Sequence, residues 1–208
     1  MSSQLTPAPL PRSFYDRPTL EVARDLLGCH LIVDDGQERL VGRITETEGY
    51  LGFLDTACHS SHGRTPRTDV MFGPPGHAYV YLIYGIYDML NVVTEAVDEP
   101  CAVLIRAIEP VAGEATMVAR RGGKRGRNML NGPGKLTRAM GITKAAFNRG
   151  DLCSGKGIWI EQGTPVDDDD VILGPRIGID YADPEHRDAP WRLRVAPPPR
   201  QGRTTARR

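Results

Sequence analysis

The sequence predicts an α+β fold in one domain. Three observations carry this. Two runs of alternating apolar and polar residues, "CHLIVD" and "ERLVGRITETEGY", flank an Asp35-Gly36 turn, and a second pair, "YVYLI" and "MLNVV", flanks Gly85, so at least two antiparallel hairpins are expected. Helical periodicity appears in separate short segments rather than in strict alternation with the strands. At 208 residues the chain can bury one substantial core but leaves little room for two.

The elements follow in order. "RPTLEVARDLLG" is an amphipathic helix: Pro18 suits its first turn, Leu20, Ala23, Leu26 and Leu27 share a face, and Gly28 suits its end. The first hairpin comes next. "TACHSSHGRTPRTDVMFGPPGH" is dense in glycine, proline and polar residues and reads as a long loop, the kind of segment that in compact domains usually carries function. The second hairpin concentrates four of the seven tyrosines in residues 79–87. Tyr79 and Tyr81 point to one side of a strand, whereas Tyr84 falls at the turn. "PCAVLIRAIEP" is a buried-type strand, "GEATMVARR" a helix, and "NGPGKLTRAMG" a second helix start. "KGIWIEQG", "DVILGPRIGI" and "PWRLRV" supply further short strands. The expected organisation is a flexible arm over 1–13, the domain over 14–195 and a basic disordered tail over 196–208.

Composition excludes several classes of function. No apolar run approaches the ~20 residues that span a bilayer, and the N-terminal segment lacks the apolar centre of a signal peptide, so no membrane partner is expected. Cys29, Cys58, Cys101 and Cys153 are widely spaced, which suits a reducing cytoplasm and gives no disulfide framework. The formal net charge of zero hides a segregation. Between Arg120 and Arg149 there are nine cations (residues 120, 121, 124, 125, 127, 135, 138, 144 and 149) and no carboxylate, while residues 167–188 hold eight acidic residues against two arginines. One positive face is implied, and with it a polyanionic partner.

Three constellations bear on chemistry. Glu46, Glu48 and Tyr50 of "ETEGY" project from one strand face, a spacing compatible with the carboxylate separation of inverting glycosidases, roughly 6.5 to 9.5 Å; a solvent-facing strand edge has the same pattern. "CHSSHG" offers Cys58, His59 and His62, but no fourth ligand completes a tetrahedral zinc site, so no metal is expected and His59 suits hydrogen bonding beside a pocket. "NGPG" could present backbone N–H groups to phosphate. No phosphate-loop or dinucleotide fingerprint occurs. A carboxylate, a histidine, clustered aromatics and a basic face meet the needs of an enzyme acting on a nucleic-acid base. A non-catalytic binder of damaged or single-stranded DNA and a carbohydrate hydrolase built on Glu46 and Glu48 remain open on the same residues.

"ETEGYLGFLDTACHS", "TPRTDVMFGPPGHAYVYLIYGIYDMLNVV", "LIRAIEP" and "NGPGKL" resemble, in combination and order, the alkyladenine-type 3-methyladenine DNA glycosylases, over about Phe14 to Val195. The resemblance implies a curved antiparallel sheet with surrounding helices and a protruding hairpin that intercalates in DNA. It implies no metal or organic cofactor, and a monomer acting on double-stranded DNA that contains damaged purines. Such an enzyme is cytoplasmic and DNA-associated in a prokaryote, or nuclear in a eukaryote. Glu48 matches the general base and Arg106 the arginine that helps hold the attacking water. Tyr50, His59, Tyr81 and Asn91 match the base pocket, and Tyr84 the wedge that fills the gap in the duplex. Arg120, Arg121, Lys124, Arg125, Arg127 and Lys135 are the expected contacts to the DNA backbone. Tyr79, Tyr87 and Glu46 have no such counterpart and are read as structural. Two departures, Gly49 in place of the family's usual alanine and "FLDTAC" in place of a more proline- and acid-rich loop, bear on loop shape and substrate range.

Overall fold

The computed structural model describes residues 8–197; what the sequence leads one to expect of residues 1–7 and 198–208 lies outside them. In chain order the elements are α1 (Arg12–Tyr15), α2 (Thr19–Asp25), β1 (His30–Asp34), β2 (Arg39–Tyr50), β3 (Ala78–Ile83), β4 (Tyr87–Thr94), β5 (Cys101–Ala112), α3 (Glu114–Arg120), α4 (Pro133–Met140), α5 (Lys144–Phe147), β6 (Ile158–Glu161), β7 (Val171–Gly174), α6 (Pro184–Arg187) and β8 (Arg192–Val195). The strands form one eight-stranded sheet in the order β3-β4-β5-β2-β1-β6, with β8 on β2 and β7 on β8. Every pairing is antiparallel, as the hairpin signals predict. Packing begins before the expected boundary at residue 14: Leu10 is buried, and Pro9 bridges to Glu161.

β2 organises the sheet. Its first half pairs with β1 and its second half with β8 on the same edge, while β5 runs along the other. The two-residue period then divides the side chains between two faces. Ala78 and Val80 of β3, Leu90 and Val92 of β4, and Val103 and Ile105 of β5 join the main core, together with Val22, Ala23 and Leu26 around α2 and Leu136, Ala139 and Met140 of α4. The alternate residues Tyr79, Val93 and Ala102 pack on the opposite face with Cys58, Val70, Met71 and Phe72 of the long loop. The loop is thus the second layer over that part of the sheet.

Three irregularities interrupt the β2–β5 ladder: one at Val41–Gly42, where Val111 is extra on β5, and two around Glu46. Ile44 pairs with Ile108 and Glu46 with Ala107, which leaves Thr45 extra on β2; Thr47 then pairs with Ile105, which leaves Arg106 extra on β5. Bulges of this kind redirect side chains.

The β3–β4 hairpin closes through Tyr84 and Gly85, whose φ values of 53° and 69° resemble a type I′ turn, with the Ile86 N–H donating to Ile83 O at 3.1 Å. Glycine is at home in this region of φ, whereas tyrosine there is uncommon. Behind the turn the hairpin is buttressed: Thr137 Oγ1 donates to Asp88 O (2.8 Å), the Lys144 N–H to Asp88 Oδ1 (2.9 Å), and the Val80 N–H to Asn148 Oδ1 (3.0 Å).

Gly49 faces the core side of β2, where a Cβ would lie 2.7 Å from Leu20 Cδ2 of α2. Leu20 occupies the space that an alanine methyl would need. Because only the terminal methyl of the half-buried Leu20 must move, Gly49→Ala should change stability by less than about 1 kcal/mol in denaturant unfolding, whereas Gly49→Leu, which no shift of one methyl accommodates, should cost more.

Candidate active site

The face of the sheet opposite the main core opens into a cleft of about 510 Å³. Tyr50, Tyr79 and Tyr81 line it from the strands, His59 and Arg67 from the long loop, and Ile177 and Tyr181 from the loop after β7. A larger cleft of about 740 Å³ lies beyond Glu46 and has no aromatic ring in its lining. Only the first can stack a planar ligand between rings.

Glu48 is fully buried at this cleft. Its Oε1 accepts the Ile177 N–H at 2.9 Å, and its Oε2 accepts the Tyr50 hydroxyl at 3.1 Å. Arg106 Nε lies 3.4 Å from Glu48 Oε1 and 3.3 Å from Glu46 Oε1. Burial raises the Glu48 pKa above its ordinary value, and the Arg106 charge and the two hydrogen bonds oppose that rise. Tyr50 is pushed far up by burial and by the Glu48 charge, so it remains a proton donor.

The wall beside Glu48 depends on one internal ion pair. The side chains of Arg176 and Asp55 are wholly buried; Arg176 Nη2 donates to Asp55 Oδ1 (2.8 Å), and its Nη1 donates to Gly49 O (3.0 Å). The guanidinium also stacks on Tyr50, 4.6 Å from the ring centre, and on Trp191, 4.9 Å away. It thereby fixes the Tyr50 ring and, through the next residue, the Ile177 N–H.

His59 and the tyrosines form the opposite wall. The His59 and Tyr81 rings meet edge to face at 4.6 Å, and Tyr79 lies 5.3 Å from Tyr81. His59 Nδ1 is 3.0 Å from the Tyr79 hydroxyl, and Arg67 Nη2 is 3.4 Å from His59 Nε2. A guanidinium has only donors, so Nε2 is the acceptor and Nδ1 carries the proton. Burial, with the Arg67 charge, lowers the His59 pKa to about 4. Asn91 is buried at the cleft, its amide donating to Tyr79 O at 3.1 Å.

Residues 13–199 match the sequence model of the family described as Methylpurine-DNA glycosylase (MPG). The chain belongs to the methylpurine-DNA glycosylase family. A Methanocella arvoryzae protein is 52% identical over 185 residues, 88% of this chain and 90% of its own length. A Myxococcus xanthus protein is 53% identical over 173 residues, covering 83% of each chain, and one from Carboxydothermus hydrogenoformans is 47% identical over 184 residues, 88% of this chain and 93% of its own. All three carry the provisional name 3-methyladenine DNA glycosylase.

In this member of the methylpurine-DNA glycosylases, Tyr50, His59, Tyr81, Asn91 and Arg106 line the same cleft, with Glu48 at its side. Tyr84 reaches its rim and is 84% exposed. The expected backbone contacts are less uniform. Arg120 donates to Ala139 O (3.4 Å) and Arg121 to Met129 O (3.0 Å), so both guanidiniums are partly engaged in the fold; Lys135 reaches Asn131 Oδ1 (2.9 Å). Lys124 and Arg125 are exposed, and nothing is described for the Arg127 side chain. Among the described residues no three His, Cys, Asp or Glu side chains group as metal ligands, and no helix is long and apolar enough to cross a membrane.

Sequence reasoning missed Tyr79, which is not merely a packing residue but a cleft residue bonded to His59. It also missed Arg67, the Asp55–Arg176 pair and the Ile177 N–H. Gly174-Pro175 was the available signal for the last two: the break ends β7 and turns "RIGI" into a loop.

His59 should titrate near pH 4 and hold its Nδ1–H tautomer above that, which ¹⁵N-detected NMR of the imidazole reads directly. An unfolded histidine titrates at about 6.5, so between that value and about 4 the unfolded chain binds the extra proton. Stability relative to a His59→Gln variant should therefore fall as pH drops through this window.

Proposed function

We propose that this methylpurine-DNA glycosylase flips alkylated or deaminated purines out of duplex DNA and hydrolyses the N-glycosidic bond, leaving an abasic site for base excision repair. The observation that carries this reading is a buried carboxylate, Glu48, held by Arg106, Tyr50 and the Ile177 N–H beside a cleft walled with aromatic rings. The glycosylase unit comprises residues 14–195 together with the packed segment from Pro9, and acts as a monomer, DNA-associated in the cytoplasm.

A base inside a duplex is out of reach of a cleft, so it must be extruded at a cost of a few kcal/mol, least where damage has weakened pairing. The β3–β4 hairpin would protrude into the minor groove of the DNA, and Tyr84 would take the vacated place in the stack. Tyr84 is suited to this because the turn holds it outward while α4 and α5 brace the strands behind it. The exposed cations Lys124 and Arg125, with Lys135, would track phosphates. In the cleft, a purine made cationic by methylation stacks against Tyr50, Tyr81 and His59. Asn91, with its amide already bonded to Tyr79 O, crowds the exocyclic amino group of guanine.

Glu48 takes a proton from a water aimed at C1′ of the sugar, and its charge stabilises the oxocarbenium that develops there. Arg106 and the Ile177 N–H orient the groups around that water. Burial brings the basicity of Glu48 toward the working pH, which favours general-base catalysis. A cationic base leaves readily; a neutral one such as hypoxanthine needs protonation. No lysine lines the cleft among the described residues, consistent with hydrolysis without a covalent imine and without strand cleavage. The carbohydrate-hydrolase reading loses support because Glu46 and Glu48 converge on one arginine nitrogen instead of flanking an open space.

Release of free base from alkylated duplex DNA tests the proposal. Glu48→Gln should retain binding to an abasic-site analogue and lose roughly 10²-fold or more in single-turnover excision. The wild-type rate should fall with decreasing pH along a limb centred above the ~4.3 of an ordinary glutamate, because protonation removes the base. Wild-type excision by the Glu48→Gln protein would refute the assignment. Tyr84→Ala should impair excision from paired duplex more than from mismatched or single-stranded substrate, since only the former must be unstacked at full cost. Equal losses on both substrates would instead assign Tyr84 to the pocket.

A further inference from the structure

We propose that Glu46 is a positioning residue that tunes the basicity of Glu48 by sharing with it the guanidinium charge of Arg106. The inference rests on Glu48 being the general base. Arg106 is the extra residue of the β5 bulge, and its Nε lies almost equally far from Glu46 Oε1 (3.3 Å) and Glu48 Oε1 (3.4 Å). One cationic group is thus shared between two carboxylates at ion-pair distance.

Arg192 sets how the competition is divided. Its Nη1 donates to the same Glu46 oxygen at 3.0 Å, while its Nε is held by Pro175 O at 2.8 Å. Glu46 is thus drawn between cations on β5 and β8. It is also partly exposed (17%) to the larger cleft, where Arg194, Glu109 and Glu114 are neighbours, so its charge remains hydrated. Glu48 has no exposure and depends on its protein partners: the Tyr50 hydroxyl on β2, Arg106 on β5, the Ile177 N–H beyond β7, and Tyr81 on β3 as a nearby titratable group.

The signs follow from Coulomb's law. An anionic Glu46 repels the charged form of Glu48 and withdraws part of Arg106, and both effects make Glu48 a stronger base. Neutralising Glu46 leaves Arg106 to Glu48 and leaves Arg192 uncompensated nearby, so Glu48 becomes easier to ionise. Removing Arg192 acts in the opposite direction: Glu46 then takes more of Arg106 and presents an unshielded negative charge.

The test is the pH dependence of single-turnover excision from duplex DNA containing 7-methylguanine, whose base is already cationic. Glu46→Gln should move the acid limb downward by about one pH unit, and Arg192→Gln should move it upward by a similar amount. A purely structural role would lower stability or rate without opposite displacements of the limb. Unmoved limbs, or limbs displaced in the same direction, would overturn the proposal. If Glu46→Gln fails to fold, the Arg192→Gln limb decides alone: a rise supports the proposal and no movement refutes it. Glu48→Gln, measured alongside, reports separately on the underlying base assignment, because retained excision there would sink that reading whatever Glu46 does.

Discussion

The alternation of side chains along β2 is the constraint on which the rest of the molecule depends. Thr47 faces the helices, where its hydroxyl donates to Ala23 O at 2.8 Å, and Gly49 lies against Leu20 on that same side. Glu46, Glu48 and Tyr50 therefore face away from the main core. Leu40 and Ile44 have the parity of Glu46 and Glu48 yet lie in the main core, so the bulge at Thr45 is what turns the two carboxylates away from it; a slip of one residue beyond the bulge would place them in an apolar core and abolish the cleft. Three neighbouring strands hold β2 in that register: β1, β5 and β8.

The cleft combines groups that a stable core would ordinarily avoid. A buried ion pair contributes little net stability, because desolvation offsets most of the Coulomb gain, yet losing one partner is costly. Arg176–Asp55 is of this kind, and its positioning of Tyr50 and Ile177 supplies a reason for it. The Glu46–Glu48–Arg106–Arg192 group is balanced, two anions against two cations, so Glu48 can be buried without an isolated charge. Its basicity then becomes a property of the group.

The two walls differ in construction. The tyrosine wall stands on β3, and α4 and α5 brace the β3–β4 hairpin through Asp88 and Val80, so its rings are set by regular secondary structure. The loop walls are held by charge: Asp69 pairs with Arg64 (2.7 Å) and Arg149 (2.6 Å) on one side, and Arg176 anchors the other. Rigid strands carry the stacking groups and tethered loops close around them, an arrangement suited to a ligand that enters from outside.

Local order made much of this legible in the sequence. Strand periodicity and turn residues placed both hairpins, and the family motifs carried Glu48, Arg106 and the ring residues to one cleft. The common face of Glu46, Glu48 and Tyr50 follows from the two-residue period alone. Tertiary structure decided what periodicity cannot encode. The bulge that sets Arg106 between two carboxylates is a mismatch between two strands far apart in sequence. The Tyr79–His59 contact, and the Asp55–Arg176 pair 121 residues apart, arise where separate loops close over the sheet. Arg120 and Arg121 belong to a basic run in the sequence, yet helix packing brings backbone carbonyls within their reach. A linear charge pattern records which side chains are cationic; only packing determines which of them the fold has already engaged, because those partners come from distant segments whose approach is set by the core.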